Sequence, residues 1–190
     1  MVSCQNISDN SFFSAEKLNH IASHFGIQDD LVNQTKQIIW VESKQWNNIK
    51  AKAYLLEIKN NRWHIIKSFP VVLGRNGMRW GQGLHQKNIG IEKQEGDGCS
   101  PAGIFALSDG FGTAFSAGNW PYKTLTDEDL FIDDSQSTYY NQWVKKDRVT
   151  KDWSSFEVMQ RPDGLYNRGF IIQHNMNPVI AGKGSAIFFH

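Results

Sequence analysis

Hydrophobic and polar residues follow two different periods along the chain. Between residues 12 and 25 the apolar positions recur at close to helical spacing. Ser14 is a suitable N-cap and Gly26 a suitable stop signal, so this pattern predicts a helix. Beyond it the helical period is lost, and strand and turn patterns take over. We therefore expect an N-terminal helical segment over residues 1–34 and one mainly β domain over residues 35–190.

The strand patterns begin with residues 35–44 and are clearest in the hairpin that follows. Two β-rich runs, 53–59 and 62–73, flank the adjacent residues Asn60 and Asn61. Asn tolerates the positive φ that a tight hairpin turn requires, so an antiparallel hairpin is predicted here. Pro70 removes a backbone donor from the second run, which predicts a sheet edge or a bulge.

The second half of the chain alternates between Gly-rich loops and short apolar runs. Residues 74–103 are rich in glycine but also hold Trp, Leu and Ile, which a solvated linker does not need, so we expect ordered loops. Residues 104–107 are predicted as a short strand and residues 108–130 as irregular. The apolar runs 169–175 and 184–190 are predicted as neighbouring buried strands.

Composition narrows the classes of protein to which the chain can belong. It has 190 residues, 40% of them hydrophobic and 21% charged, which is ordinary for a globular domain. The formal net charge of +1 gives no basic field, so we expect no nucleic-acid partner. No apolar run approaches the length of a membrane span, and no signal peptide is visible at the N-terminus.

The common short motifs of catalysis and cofactor binding are missing from the sequence. There is no GxSxG and no CxxC, and the Gly-rich segments are not set between a strand and a helix as nucleotide binding requires. His20 and His24 are four residues apart, but no third ligand accompanies them at a matching spacing. We therefore expect neither a metal site nor a cofactor.

Four motifs in a fixed order are the strongest signal in the sequence. They read KQEGDGCSPAGIFAL (93–107), FIDDSQSTYYNQW (131–143), GLYNRGFIIQHN (164–175) and GKGSAIFFH (182–190). This series resembles the catalytic domain of YkuD-type L,D-transpeptidases, in the branch that reads approximately EGDGxTPaG, DDpxSxxYN, GxGSaIFxH and then Gly-Cys. The resemblance extends over roughly residues 50–190, in the right order and at plausible spacing.

The resemblance implies a β-sandwich-like enzyme that acts on the stem peptides of peptidoglycan, in the periplasm or cell envelope of a bacterium. In such enzymes a cysteine thiolate attacks a tetrapeptide donor and expels the terminal D-Ala. The thioester is then passed to an amine or to water. Histidine suits the role of base because it accepts a proton near neutral pH. That base corresponds to His190, whereas a histidine that merely ends a core strand is the structural alternative.

The resemblance also suggests which residues line the substrate site. For Glu95 and Asp97 the alternative is a solvated, turn-capping role, and for His174 it is a buried structural histidine. The candidate substrate-binding residues are Glu95, Asp97, Gly98, His174, Asn175, Gly184 and Ser185.

The chain departs from the family pattern at the nucleophile. The Gly-Cys motif would follow His190, where the given sequence ends, and Cys99 stands in a loop motif in which we expect no catalytic role. We therefore expect a chain that lacks its nucleophile and is inactive as given. The alternatives are a non-catalytic domain of the same fold that binds cell-wall peptides or another protein, and, more remotely, a hydrolase that uses Cys99 with His85 or His174.

Overall fold

The structure is a computed structural model, and it confirms that the chain is mainly β. It describes residues 20, 23–24, 26, 34–60, 62–86, 90–114 and 120–190. The helix predicted within residues 12–25 falls largely outside the described residues, as does most of the segment 1–34. The chain divides into two compact units. Unit 1 comprises Met1–Arg79, His85–Ile89 and Gly98–Ser100, and unit 2 comprises Trp80–Leu84, Gly90–Asp97 and Pro101–His190.

Unit 1 contains a three-stranded antiparallel sheet in the order β1-β2-β3. Its strands are β1 (Gln37–Glu42), β2 (Lys50–Lys59) and β3 (Arg62–Val72). The predicted hairpin is confirmed, and Asn60 in its turn has a φ of 51°. Pro70 lies on the edge strand β3, as its missing donor predicted. Tyr54, Leu56 and Trp63 form the buried side of this sheet.

The other strands form three further sheets. A two-stranded sheet consists of β4 (Met78–Trp80) and β5 (Ser100–Ala102). In unit 2 the order β12-β11-β6-β7 joins β6 (Leu107–Gly112), β7 (Tyr122–Thr124), β11 (Arg168–Ile172) and β12 (Phe188–Phe189). The order β10-β8-β9 joins β8 (Asp129–Ile132), β9 (Gln142–Lys145) and β10 (Phe156–Val158).

An aromatic core in unit 2 fixes the position of the short strand β12. The half-buried Phe188 ring packs edge-on against Phe111, Phe131 and Tyr166, with centroid distances of 5.4, 5.1 and 5.3 Å. Burying an aromatic side chain of this size stabilises the fold by roughly 1.5–3 kcal/mol. A strand of two residues is therefore held by its side chains as much as by its backbone pairing with β11.

Several strand boundaries differ from those that the sequence predicted. Residues 104–106 are not a strand, because the carbonyls of Ile104 and Ala106 accept isolated hydrogen bonds from loop backbone. Residues 108–130, predicted to be irregular, contain most of β6, all of β7 and the start of β8. These three strands are too short to give a readable period. The β-sandwich arrangement stays a prediction.

The two apolar runs near the end of the chain are neighbouring strands, as predicted, but they are shorter. The run 169–175 leaves the sheet after Ile172. The run 184–190 is a strand only at Phe188–Phe189. Gly184 and Ala186 have φ values of 96° and 53°, and this left-handed backbone breaks the alternation of side chains expected for a continuous strand.

Candidate functional site

A carboxylate in the first motif binds hydroxyl groups from two of the other motifs. The Tyr140 hydroxyl and the Ser185 hydroxyl both donate to Oε2 of Glu95, at 2.5 and 2.6 Å. The Tyr140 oxygen in turn accepts a hydrogen bond from the backbone N–H of Gly184 at 3.0 Å. Burial, followed by the hydrogen bond to Glu95, raises the pKa of Tyr140 well above its ordinary value. The phenol therefore stays protonated and acts as a donor to the carboxylate.

His174 supports the same loop from its other side. Its Nδ1 accepts the backbone N–H of Gln82 at 3.1 Å, and its Nε2 lies 2.9 Å from the carbonyl oxygen of Lys183. A carbonyl oxygen can only accept, so Nε2 carries the proton and the ring is the neutral tautomer. Burial lowers the pKa of His174, which is consistent with that tautomer. Both ring nitrogens are thus used within the protein.

Two buried asparagines complete the support of the loop over residues 180–186. Asn141 donates to the carbonyls of His174 and Asn175, at 3.0 and 2.7 Å, and accepts the N–H of Ala186 at 3.2 Å. Asn175 donates to the carbonyls of Ile180 and Gly184 and accepts the N–H of Ile180. A left-handed alanine costs roughly 1–2 kcal/mol, which these bonds to the loop offset.

A buried ion pair lies beside this network. The Lys93 ammonium, whose side chain is 6% exposed, lies 2.7 Å from Oδ1 of Asp97. The ammonium also donates to the Gln94 carbonyl, and Oδ2 of Asp97 accepts the N–H of Gln94. The Lys93 side chain packs against Gly184, where an added Cβ would lie 3.0 Å from its Cγ. The pair therefore fixes the 93–97 turn, and the φ of 96° at position 184 favours glycine there.

His190 follows β12 and is exposed. Its ring stands edge-on to Tyr166 with the centroids 5.2 Å apart. The Tyr166 hydroxyl donates to Glu157 at 3.4 Å, and the Arg161 guanidinium lies 5.4 Å from the Tyr166 ring centroid. Burial, with the charge of Glu157, raises the pKa of Tyr166 to about 12. An exposed imidazole is thus placed beside a rigid aromatic ring.

The structure brings most of the predicted site residues into unit 2. Hydrogen bonds connect Glu95, His174, Asn175, Gly184 and Ser185 through the loop, and β12 leads from it to His190. Asp97 joins the 93–97 turn through Lys93. Contact with substrate stays a prediction for each of the seven candidate substrate-binding residues, Gly98 included.

Gly98 and Cys99 belong to unit 1. Gly98 has a φ of 67°, and its carbonyl accepts the N–H of Asn76 at 3.0 Å. Cys99 is 5% exposed, and its thiol donates to the Asn76 carbonyl at 3.3 Å. The absence of a catalytic role for Cys99 stays a prediction.

Sequence reasoning did not assign Lys93, Gln82, Tyr166 or Arg161 to the site. Lys93 immediately precedes the EGDG motif and Tyr166 lies within GLYNRG, so motif membership was the available signal for those two. Gln82 acts through its backbone, which no side-chain pattern reports. Tyr140 and Asn141 lie in the second motif and hydrogen-bond within the domain, to Glu95 and to the His174 carbonyl.

The arrangement can present a proton acceptor at His190. The loop that precedes β12 is held by hydrogen bonds to its backbone at residues 180, 182, 183, 184 and 186. Within the described residues no three His, Cys, Asp or Glu side chains are grouped to hold a metal ion. No described helix has the length and apolar character needed to span a bilayer. Comparison of the chain with protein-family models, with curated proteins and with solved structures finds no match.

Proposed function

We propose that the chain is the L,D-transpeptidase-like part of a peptidoglycan-active protein of the cell envelope, with His190 as its catalytic base. One observation carries the proposal. Residues of four motifs, spread over positions 93–190, contribute to one hydrogen-bonded loop, and that loop leads directly into the strand before His190. Unrelated surface motifs have no reason to meet in this way. The four motifs that carry the family resemblance thus contribute to the same structural element.

In the proposed reaction the imidazole of His190 accepts the proton of a cysteine thiol. The thiolate attacks the carbonyl carbon of the third residue of a stem tetrapeptide, and the C–N bond to the terminal D-Ala breaks. The departing amine takes up the proton from the imidazolium. An acceptor amine, or water, then attacks the thioester and restores the thiol. The contact of His190 with Tyr166 supports this role, because a base needs a defined position relative to the group that it deprotonates.

The burial of the Cys99 thiol favours a second candidate function. Cys99 is 5% exposed and its thiol donates to the Asn76 carbonyl, so this thiol is not accessible to a substrate. A domain of this fold that uses no thiol can still bind the stem peptide. The second candidate is therefore a cell-wall peptide-binding domain of the same fold.

One titration tests both candidates. The ¹⁵N- and ¹³C-labelled chain is titrated with a stem tetrapeptide ending in D-Ala, and with a matched peptide ending in L-Ala. Both candidates predict saturable shifts at His190 and Tyr166 that are weaker or absent with the L-Ala peptide. The same tetrapeptide is then given to the natural protein with all residues that follow His190. Release of D-Ala and a thioester-bound mass adduct support the transpeptidase, and binding without release supports the peptide-binding domain.

A matched variant shows whether His190 takes part. His190→Gln keeps a polar side chain of similar length but cannot act as a base at neutral pH. We expect it to retain peptide binding and to lose D-Ala release in the natural protein by at least 100-fold. If the wild-type chain binds no tetrapeptide at millimolar concentration, both candidates are wrong. If His190→Gln releases D-Ala at the wild-type rate, the assignment of the base is wrong.

A further inference from the structure

Both oxygens of the Glu95 carboxylate accept hydrogen bonds from other groups of the protein. Its Oε2 accepts the hydroxyls of Tyr140 and Ser185, and its Oε1 accepts the backbone N–H of Gly96 at 3.2 Å. The backbone N–H of Glu95 also donates to the Gly182 carbonyl at 2.9 Å. One residue thus holds the loop at residues 182 and 185 directly, and at residue 184 through the phenol. This geometry is that of a support, a role that the prediction of substrate contact for Glu95 did not include.

The supported loop determines how the chain enters β12. Gly182, Gly184 and Ala186 all have left-handed backbone, with φ values of 77°, 96° and 53°. Such a sequence of bends is not a preferred conformation for alanine, and it is kept only where tertiary contacts hold it. The peptide planes of residues 184–186 therefore set the direction of the four residues that follow. The last of these is His190.

We infer that Glu95 is a positioning residue, which holds the 182–186 loop so that β12 presents the His190 imidazole edge-on to Tyr166. The catalytic meaning of this inference rests on the proposed function, but the structural dependence of His190 on Glu95 does not. The hydroxyl groups of Tyr140 and Ser185 are the two links between the Glu95 carboxylate and the loop. The carboxylate acts on the base through the backbone and never touches the reacting atoms.

The test compares two substitutions of Glu95 in the full chain. Glu95→Ala removes the acceptor of both hydroxyls. Glu95→Gln keeps a carbonyl oxygen that can accept both, although its NH₂ group then faces the Gly96 N–H. We expect Glu95→Ala to raise hydrogen exchange at the Gly184 and Ala186 amides at least tenfold. We also expect it to move the His190 ring resonances toward those of an unstructured peptide. Glu95→Gln should restore most of both properties.

Glu92→Ala is the matched control. Glu92 is a carboxylate in the same segment, and it binds the same loop through an ion pair with Lys183 at 2.8 Å. That pair is partly exposed and fixes a side chain, so its loss should leave the exchange at Gly184 and Ala186 within about threefold of wild type. If Glu95→Ala unfolds the chain, Ser185→Ala removes one of the two hydroxyl links and should give the same changes in smaller measure.

The outcomes separate this inference from the proposed function. A folded Glu95→Ala chain with wild-type His190 resonances and wild-type amide exchange overturns the positioning role. If Glu95→Ala cannot be purified in a folded form, a Ser185→Ala chain with unchanged His190 resonances and unchanged amide exchange also overturns the positioning role. Failure of the wild-type protein to bind or cleave the tetrapeptide refutes the proposed function instead, and leaves the His190 measurements valid.

Discussion

Asn141 is the side chain whose loss should destabilise unit 2 the most among the polar residues of the site. It is 2% exposed, and it bonds to the carbonyls of His174 and Asn175 and to the N–H of Ala186. Asn141→Ala removes these three bonds at once. The space left behind is small and enclosed, so the backbone groups lose their partners without gaining full access to water.

The size of the effect can be estimated from those contacts. A buried polar group left without a partner lowers the free energy of unfolding by about 1–3 kcal/mol. The effects of neighbouring groups are not additive, so we expect about 3–6 kcal/mol for the three together. Asn141 also has a φ of 58°, which adds about 1 kcal/mol for an alanine. Domains of this size are stable by about 5–15 kcal/mol, so the variant should lose a large share of its stability.

Urea denaturation followed by tryptophan fluorescence measures the loss, with two controls for the backbone term. Asn141→Gly relieves the strain of the positive φ but makes no side-chain bonds, so it should be more stable than Asn141→Ala by about 1 kcal/mol at most. Asn60→Ala changes an exposed residue with a φ of 51° and should cost only about 1 kcal/mol. A loss for Asn141→Ala no larger than that for Asn60→Ala would refute the reasoning.

Three further predictions concern His174, Phe188 and Tyr54. Burial lowers the pKa of His174, so as the pH falls below about 6.5 the unfolded chain binds the proton first. Stability is then fully present above that pH and decreases below it, by up to about 1.4 kcal/mol per pH unit, and His174→Gln should flatten this slope in urea titrations at several pH values. An unchanged slope would contradict the neutral tautomer. Phe188→Ala should cost about 1.5–3 kcal/mol and Phe188→Leu clearly less, by thermal and urea unfolding; equal losses would mean that ring packing does not hold β12. Tyr54→Phe removes a partly exposed hydrogen bond of 3.0 Å to Glu42 and should cost less than about 1 kcal/mol, so a larger loss would show that the bond is worth more than its exposure suggests.

The features of the fold that could be predicted from the sequence are those encoded by neighbouring residues. The hairpin of β2 and β3 was readable because two β-rich runs flank a turn at Asn60. The pairing of β11 with β12 followed from two apolar runs joined by a turn-rich segment. The strands β7 and β8 were missed because three or four residues do not display a period, and their position depends on pairing with strands elsewhere in unit 2.

The hydrogen bonds among the candidate site residues could not be predicted from the sequence. The motifs identified Glu95, His174 and Ser185, yet nothing local to them indicated that a phenol would join two of them. The left-handed conformation of Ala186 has no sequence signal, because alanine rarely adopts it without tertiary support. The neutral state of His174 likewise depends on backbone groups of Gln82 and Lys183, which a side-chain pattern does not report.

The loop before β12 has a consequence for the order in which the protein forms. The bonds from Ser185 to Glu95 and from Ala186 to Asn141 join residues that are 90 and 45 positions apart. Contacts of such long sequence separation are entropically expensive until the intervening chain has condensed, so they close late in folding. On the ribosome, Glu95 and Tyr140 emerge well before Ser185, and the loop cannot be assembled until nearly all of these residues have been synthesised. Nascent fragments that end before residue 182 should therefore hold Glu95 and Tyr140 without the partners that the loop provides.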